Sequence, residues 1–246
     1  MKIEYNFVSR GTERESGSDG YMAVTQKIGK KRYLLPIPHK QDEIDELTKD
    51  YLVIKHVVTT PQLAVARFRL IPALFLERNK VEHNSKILVV GCGCIGYALL
   101  EELYYRGYKQ VTYTTVSSSA SLRYPRISSL QVDYKDYDVI FDTSGKSEVL
   151  DNIILNCKPQ TTIVLLGTPR GEPKANLLQV HRKNLNICGA HELFGYSAAQ
   201  RQKVFDKVLK NIQQQNPCYL SVCNYVKLDQ VSPQAKFSAI YNIVKR

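Results

Sequence analysis

The sequence lacks any apolar run of the roughly 18–20 residues that a membrane-spanning helix requires. Its first residues, Met1 to Asn6, contain no apolar segment of the kind found in secretory signal peptides. Internal repeats, low-complexity tracts and long linkers are missing as well. These absences predict a soluble, cytoplasmic protein. Its 246 residues suffice for one large domain, or for a medium domain with a smaller partner.

The six cysteines do not have the spacing of a zinc site. Cys92 and Cys94 are one residue apart, and no second Cys/His pair at the usual spacing completes the four ligands that zinc prefers. Cysteines in an intracellular chain of this length are expected to be reduced thiols. We therefore predict that the protein binds no metal.

The chain carries a net charge of +11, from 34 basic and 23 acidic residues. It has no strong basic run interleaved with aromatic residues and no nucleic-acid motif. A positive field favours anionic ligands, such as a phosphorylated cofactor or an acidic substrate. We expect a polar or anionic small-molecule substrate, and neither nucleic acid nor membrane as a partner.

The first part of the chain is rich in turn residues and short apolar segments, which predicts an irregular, strand-rich region over residues 1–40. A polar helix is expected next, followed by a more apolar one that Pro72 should kink or interrupt. The predicted elements are strands at Tyr21–Ile28 and Arg32–Ile37, and helices near Asp42–Tyr51 and at Pro61–Glu77.

From Ser85 onward, predicted strands and helices alternate along the chain. The strands are Lys86–Val90, Gln110–Val116, Asp138–Asp142, Thr161–Leu166, Asn184–Cys188 and Tyr219–Leu228, and the helices are Ile95–Tyr105, Ser147–Cys157, Ser197–Gln215 and Ser232–Val244. Alternation of this kind predicts an α/β fold with parallel strands, and uniformly apolar strands indicate a sheet covered on both faces. We place the domain boundaries at residues 1–84, 85–200 and 201–246, the last being a helix–strand–helix segment that packs back on the rest.

A glycine-rich loop, Gly91-Cys92-Gly93-Cys94-Ile95-Gly96, directly follows a predicted strand and opens a predicted helix. In that context the first glycine makes a tight turn, the second lets a pyrophosphate approach the backbone, and the third lets helix and strand pack closely. The helix start offers unpaired N–H groups to the phosphates. The alternative is a tight turn without a ligand. We predict a doubly wound Rossmann sheet that binds a dinucleotide through Gly91, Gly93, Cys94, Ile95 and Gly96.

The strand after this loop determines which dinucleotide is favoured. An Asp or Glu about 20 residues after the loop would bind the ribose 2′-hydroxyl of NAD. The segment from Val111 to Val116 has no acid and is followed by Ser117 and Ser118, and then by Arg123 and Arg126. Hydroxyl and guanidinium groups suit a 2′-phosphate. We therefore favour NADP(H) over NAD(H).

Two further predicted strands end in small residues. Thr143, Ser144 and Gly145 follow one strand, and Gly167 and Thr168 follow the next. Ligands of open parallel sheets lie at the carboxyl ends of the strands, where small residues leave room for the ribose and the nicotinamide. These segments are candidate cofactor contacts, with ordinary turns as the alternative.

The same segments resemble the medium-chain dehydrogenase/reductase family, of the zinc-alcohol-dehydrogenase type. Lys86 to Gly96, Tyr137 to Gly145 and Lys158 to Gly167 look like its first strand with the phosphate loop, its fourth strand and its fifth strand. Ser9 to Glu13 and Gly20 to Pro38 look like parts of its GroES-like N-terminal barrel. The resemblance implies a dinucleotide-dependent oxidoreductase.

Departures from the family pattern also have implications. The region before Ser85 is short, Ser9 stands where the family has its catalytic cysteine, and both the Gly-His-Glu segment and the four-cysteine zinc lobe are missing. These features imply a shortened, zinc-free relative with a truncated N-terminal domain. A second copy of the chain or a partner protein would then cover the surface left open.

Without zinc, a reduction needs a side chain or water as proton donor. The candidates are Ser9, Thr12, Glu13, Tyr21, His56, His191 and Tyr196, of which we select Ser9, Thr12, Glu13 and His191. Two functions remain open at this point. One is an NADP(H)-dependent oxidoreductase acting on a small carbonyl, imine or alkene metabolite. The other is a dinucleotide-binding partner subunit or sensor without turnover.

Overall fold

The computed structural model describes residues 1–8, 21–25, 31–37, 41, 43–47, 49–55, 57–115, 124–169, 174–214, 222–227 and 240–245. The chain forms two compact units, the first made of Met1–Leu70 with Glu192–Arg246 and the second of Ile71–His191. The division falls within helix α1, Thr60–Arg78. The predicted fold class, an α/β Rossmann sheet with a small strand-rich domain, is confirmed.

The first unit contains a six-stranded sheet. Its strands are β1 (Ile3–Val8), β2 (Tyr21–Thr25), β3 (Arg32–Ile37), β4 (Leu52–Ile54), β10 (Cys223–Val226) and β11 (Tyr241–Lys245), and their order is β10-β11-β1-β2-β3-β4. All neighbours pair antiparallel except β10 and β11, which are parallel. Apolar side chains of β1, β2, β3 and β11 pack into one buried cluster. The strand-rich first part of the chain therefore becomes one sheet through pairing of the chain's two ends.

Helix α5 (Ala198–Gln214) closes the outer edge of this sheet. The amide side chain of Gln202 accepts a hydrogen bond from the Val53 N–H at 2.8 Å and donates one to the Val53 carbonyl at 3.0 Å. The Gln202 side chain therefore makes the two hydrogen bonds that the backbone of a further strand would make with β4. Arg201 binds Asp50 at 2.8 Å beside it. An edge satisfied in this way is protected from pairing with another chain.

The second unit contains a parallel five-stranded sheet. Its strands are β5 (Ile87–Val90), β6 (Val111–Thr114), β7 (Val139–Asp142), β8 (Thr162–Leu165) and β9 (Asn186–Gly189), and their order is β6-β5-β7-β8-β9. The connecting helices in this unit are α2 (Cys94–Tyr105), α3 (Ser147–Asn156) and α4 (Leu177–Arg182). Strands β5 and β7 are buried at every position, as expected for a sheet covered on both faces.

Among the described residues, a single bridge occupies the place of the third strand of a doubly wound sheet. Arg126 pairs in parallel with Tyr113 of β6. The Tyr113 N–H donates to the Pro125 carbonyl at 3.2 Å, and the Ile127 N–H donates to the Tyr113 carbonyl at 2.9 Å. The strand order is therefore that of the Rossmann fold, with a minimal third strand outside β6.

Two sequence predictions about secondary structure were wrong. Residues 43–47, 49 and 50 form a bridge, bends and a turn instead of the predicted helix at Asp42–Tyr51. The last residues of the predicted helix Ser232–Val244 belong to β11, because that apolar segment lies between β1 and β10. At Pro72, where a kink or an interruption was expected, helix α1 is not interrupted.

An arginine fastens helix α2 to the end of helix α1. Arg106 donates to the Glu102 carboxylate at 2.7 Å and to the carbonyls of Leu76 at 3.1 Å and Ala73 at 3.2 Å. The Glu102 side chain is 3% exposed. The Leu76 carbonyl lies in the last turn of α1, where carbonyl groups have no partner within the helix, and this arginine satisfies it.

We expect Arg106→Met to lower the free energy of unfolding by about 2–4 kcal/mol, since it leaves the buried Glu102 carboxylate without its charged partner. Urea denaturation measures this change. Lys80→Met is the matched control, because the Lys80–Glu82 pair is exposed (86% and 60%) and should contribute less than about 1 kcal/mol. Equal losses in the two variants would contradict the interpretation.

Candidate functional site

The carboxyl ends of the five parallel strands are aligned in register. Val90 at the end of β5 pairs with Thr114 on one side and with Asp142 on the other. Asp142 pairs with Leu165, and Leu165 pairs with Gly189. The loops that follow these strands therefore meet at one edge of the sheet, where open parallel sheets bind their ligands.

The first and third glycines of the loop after β5 are required by contacts within the protein. Gly91 has φ +96°, a backbone conformation that favours glycine, and a Cβ there would lie 2.8 Å from Thr143 Oγ1. A Cβ on Gly96 would lie 2.3 Å from the Gly91 carbonyl oxygen. These two glycines let the start of α2 pack directly against the end of β5, as the sequence predicted.

The second glycine, Gly93, is not required by any contact with the described residues. It is the N-cap of α2, with φ −82° and ψ −160°, which any residue can adopt. A Cβ added there would have no described atom within 4 Å. The missing side chain therefore leaves open space beside the loop, which is what close approach of a ligand to the backbone requires.

The N–H groups at this point are available to a ligand. No side chain caps the start of α2, and the first turn of the helix has no acidic residue. Among the backbone hydrogen bonds of the described residues, none has the N–H of Cys92 or Gly93 as donor. Unpaired N–H groups and the positive end of the helix dipole make this loop a suitable site for phosphate.

Cys92 and Cys94 contribute to the loop as buried side chains. Burial raises the pKa of the Cys92 thiol to about 12, and the nearby Arg126 charge opposes that effect only in part. Cys92 is therefore a protonated, unreactive thiol at neutral pH. Within the described part of the chain, no group of three His, Cys, Asp or Glu residues is arranged to hold a metal ion.

The turn after β7 packs against the glycine loop. The Thr143 hydroxyl lies 3.0 Å from both the Val90 and Gly91 carbonyl oxygens. Asp142 Oδ1 accepts hydrogen bonds from the Ser144 N–H at 2.8 Å and from the Ser144 hydroxyl at 2.6 Å. Desolvation raises the pKa of the Asp142 carboxyl, while hydrogen bonds from Ser144 and Gly145 act in the opposite direction.

Gly145 and Gly167 join this turn to the end of β8. Gly145 has φ +65°, and a Cβ there would lie 2.2 Å from the Thr168 carbonyl oxygen. A Cβ on Gly167 would lie 2.6 Å from the Gly145 N. The structure therefore brings Thr143, Ser144, Gly145, Gly167 and Thr168 together with the glycine loop. Their contact with a cofactor remains a prediction.

Arg126 lies beside the site at the end of β6. Its guanidinium donates to the Thr115 carbonyl at 2.9 Å, and its charge acts on the Cys92 thiol in the glycine loop. Our selection from the sequence included Arg123 instead of Arg126, although both follow the same strand. The one-residue bridge to Tyr113 positions Arg126, and sequence periodicity does not reveal a single bridge.

The remaining predicted residues are placed as follows. Ser9, Thr12, Glu13, His56, Ser117, Ser118 and Arg123 lie outside the described residues, as does the Tyr21 side chain. His191 is exposed and follows β9, close in sequence to the aligned strand ends. Tyr196 is half-buried. Glu192, next to His191, forms a two-bond ion pair with Arg67 at 2.6 Å.

No protein-family model matches the chain, and no curated protein matches its sequence significantly. Its structure is similar to many solved ones. The yhdH oxidoreductase from Salmonella enterica, in complex with NADP, has 13% identity and a TM-score of 0.72 over 100% of this chain and 90% of that one. The 2R,3R-butanediol dehydrogenase from Bacillus subtilis has 13% identity and a TM-score of 0.67 over 100% and 91%.

A third similar structure is TarJ from S. aureus in complex with NADPH. It has 11% identity and a TM-score of 0.63 over 99% of this chain and 90% of that one. Two of these three neighbours are dehydrogenases or oxidoreductases by name, and two hold NADP or NADPH. At such identities the likeness establishes the fold. The fold implied by the family resemblance is therefore confirmed.

The described helices include none that is both long enough and apolar enough to cross a bilayer.

We expect Gly96→Ala to lower the free energy of unfolding by about 2–3 kcal/mol, because the new Cβ meets backbone that cannot easily move. Thermal or urea denaturation measures the loss. Gly189→Ala is the control, since a Cβ there has no described atom within 4 Å and should change stability by less than about 1 kcal/mol. A Gly96→Ala protein as stable as the wild type would show that helix and strand are not closely packed here.

Proposed function

We propose that this protein is an NADP(H)-dependent oxidoreductase that transfers hydride to or from a small carbonyl, imine or alkene metabolite without zinc. The observation that carries the proposal is Gly93. No contact with the described residues requires glycine at this start of helix α2, and the N–H groups of Gly93 and Cys92 have no backbone acceptor among those residues. A pyrophosphate is the ligand that such a loop suits best.

The NADP and NADPH complexes among the structural neighbours support this choice of ligand. The basic charge of the chain, +11, also suits a phosphorylated cofactor and a polar or anionic substrate. The residues of the site fit the cofactor in outline. The glycine loop would hold the pyrophosphate, and the turns after β7 and β8 would border the ribose and the nicotinamide.

When bound, the reduced nicotinamide supplies a hydride. The protein's own contribution is to hold the cofactor at the aligned strand ends and to provide a proton for the reduced substrate. Ser9, Thr12, Glu13 and His191 are our candidates for that proton transfer, and Ser117, Ser118 and Arg123 are further candidates for the 2′-phosphate.

Cofactor binding can be measured by NADPH and NADH fluorescence with the purified protein, followed by loss of cofactor absorbance with a panel of carbonyl substrates. We expect Gly93→Ala to weaken NADPH binding at least roughly tenfold, which corresponds to about 1.4 kcal/mol. Its stability should change by less than about 1 kcal/mol, because Ala caps a helix less well than Gly but restricts the unfolded chain. Gly107→Ala, which lies beyond the other end of α2, should retain NADPH binding, although its φ of +80° makes the alanine variant less stable.

The outcomes of this experiment separate the two functions. Binding with turnover supports the oxidoreductase. Binding without turnover across a broad panel supports a dinucleotide-binding partner subunit or sensor. If neither NADPH nor NADH binds the wild-type protein, both functions are wrong.

Arg126 provides a separate test of cofactor choice. A hydrogen-bonded charge pair with a 2′-phosphate contributes about 1.5–3 kcal/mol, so Arg126→Met should weaken NADPH binding roughly tenfold to hundredfold and leave NADH binding unchanged. Arg182→Met, which removes an exposed positive charge from α4, controls for net charge. An equal effect on both cofactors would argue against recognition of the 2′-phosphate by Arg126.

A further inference from the structure

Thr143, the first residue after β7, contacts both the end of β5 and the glycine loop. Its N–H donates to the Val90 carbonyl at 2.9 Å, which continues the pairing of β7 with β5 by one residue. Its hydroxyl lies 3.0 Å from the same carbonyl and 3.0 Å from the Gly91 carbonyl. One hydroxyl proton is therefore shared between the last residue of β5 and the first residue of the glycine loop.

The glycine loop is shaped around this side chain. A Cβ on Gly91 or on Gly96 would in each case lie 2.8 Å from Thr143 Oγ1. Both glycines therefore leave space that the threonine hydroxyl fills. The loop and the turn after β7 form one packed unit, with Thr143 at its centre.

The contact with Gly91 sets the direction of a peptide group. The Gly91 carbonyl points toward Thr143, and the peptide bond to Cys92 is planar, with no cis peptide bond in the described chain. In a trans peptide the N–H points opposite to the carbonyl. The Cys92 N–H therefore points away from Thr143, and it has no backbone acceptor among the described residues.

The turn that carries Thr143 is itself held firmly. The buried Asp142 carboxylate accepts two hydrogen bonds from Ser144, and the Asp142 carbonyl accepts the N–H groups of Leu166 and Gly167, each at 2.9 Å. The hydroxyl of Thr143 is thus attached to a rigid part of the sheet. A group held in this way can fix a neighbouring loop before any ligand arrives.

We propose that Thr143 is a positioning residue for the dinucleotide site: its hydroxyl orients the Gly91–Cys92 peptide so that the loop N–H groups face the pyrophosphate. This inference rests on the proposed function. It assigns the Thr143 hydroxyl to the loop and not to the cofactor. Because the loop is already ordered in the folded protein, it loses little conformational entropy when a ligand binds. The affinity for any ligand with a pyrophosphate therefore depends on this hydroxyl.

The test compares Thr143→Val, which keeps the shape but removes the hydroxyl, with Thr143→Ser, which keeps the hydroxyl. We expect Thr143→Val to weaken NADPH binding roughly fivefold to tenfold, the equivalent of one hydrogen bond, and Thr143→Ser to restore it. Adenosine 2′-monophosphate, which has no 5′-phosphate, should bind equally well to all three proteins. Thr112→Val is the matched control, because its hydroxyl donates to Tyr137 at the other end of the same sheet.

Several results would overturn the proposal. Thr143→Val could bind NADPH as well as the wild type, Thr143→Ser could fail to restore binding, or the adenosine nucleotide could lose the same factor as NADPH. If Thr143→Val does not fold, Thr143→Ala with the same two ligands carries the test. Failure of the proposed function is distinct, because the wild-type protein would then bind neither NADPH nor NADH.

Discussion

The structure of the second unit depends on the close approach of two backbone segments, at Gly91 and Gly96. Because neither residue has a side chain, the first turn of α2 rests on the end of β5. The Thr143 hydroxyl then reaches the same point from the next strand. The way in which the ends of β5, β7 and β8 meet is therefore determined by Thr143 and by four glycines, Gly91, Gly96, Gly145 and Gly167. The helix can direct its N–H groups toward a ligand only because this contact holds its start in place.

Much of this arrangement could be predicted from the sequence. The sequence predicted the glycine loop between a strand and a helix, and small residues after two later strands. In the structure, all of these lie at the aligned edge of the sheet. Such features are local, and local spacing reflects backbone geometry directly. The helix at Pro61–Glu77 was predicted nearly to its ends, as Thr60–Arg78.

Features that depend on distant pairing were not predictable. The segment Tyr241–Lys245 is a strand because β1 and β10 flank it, although its short apolar pattern also fits a helix. Arg126 reaches the glycine loop through a single bridge to Tyr113. Thr143 was predicted as a cofactor contact from its position after a strand. Its bonds to Val90 and Gly91 became visible only in three dimensions.

The single bridge outside β6 has a consequence for how cofactor preference can change. Among the described residues, the segment that follows β6 is joined to that strand by one pair of backbone hydrogen bonds at Tyr113. The five-stranded sheet has its own buried cluster, which includes Leu88, Ile140 and Ile163. Ile127, Val132 and Tyr134, which follow β6, belong to this cluster or pack against it, whereas Arg126 is exposed. A substitution at Arg126 therefore places little of the domain's stability at risk. For the proposed cofactor site, discrimination between phosphorylated and unphosphorylated ribose can then evolve at Arg126 separately from the folding of the domain.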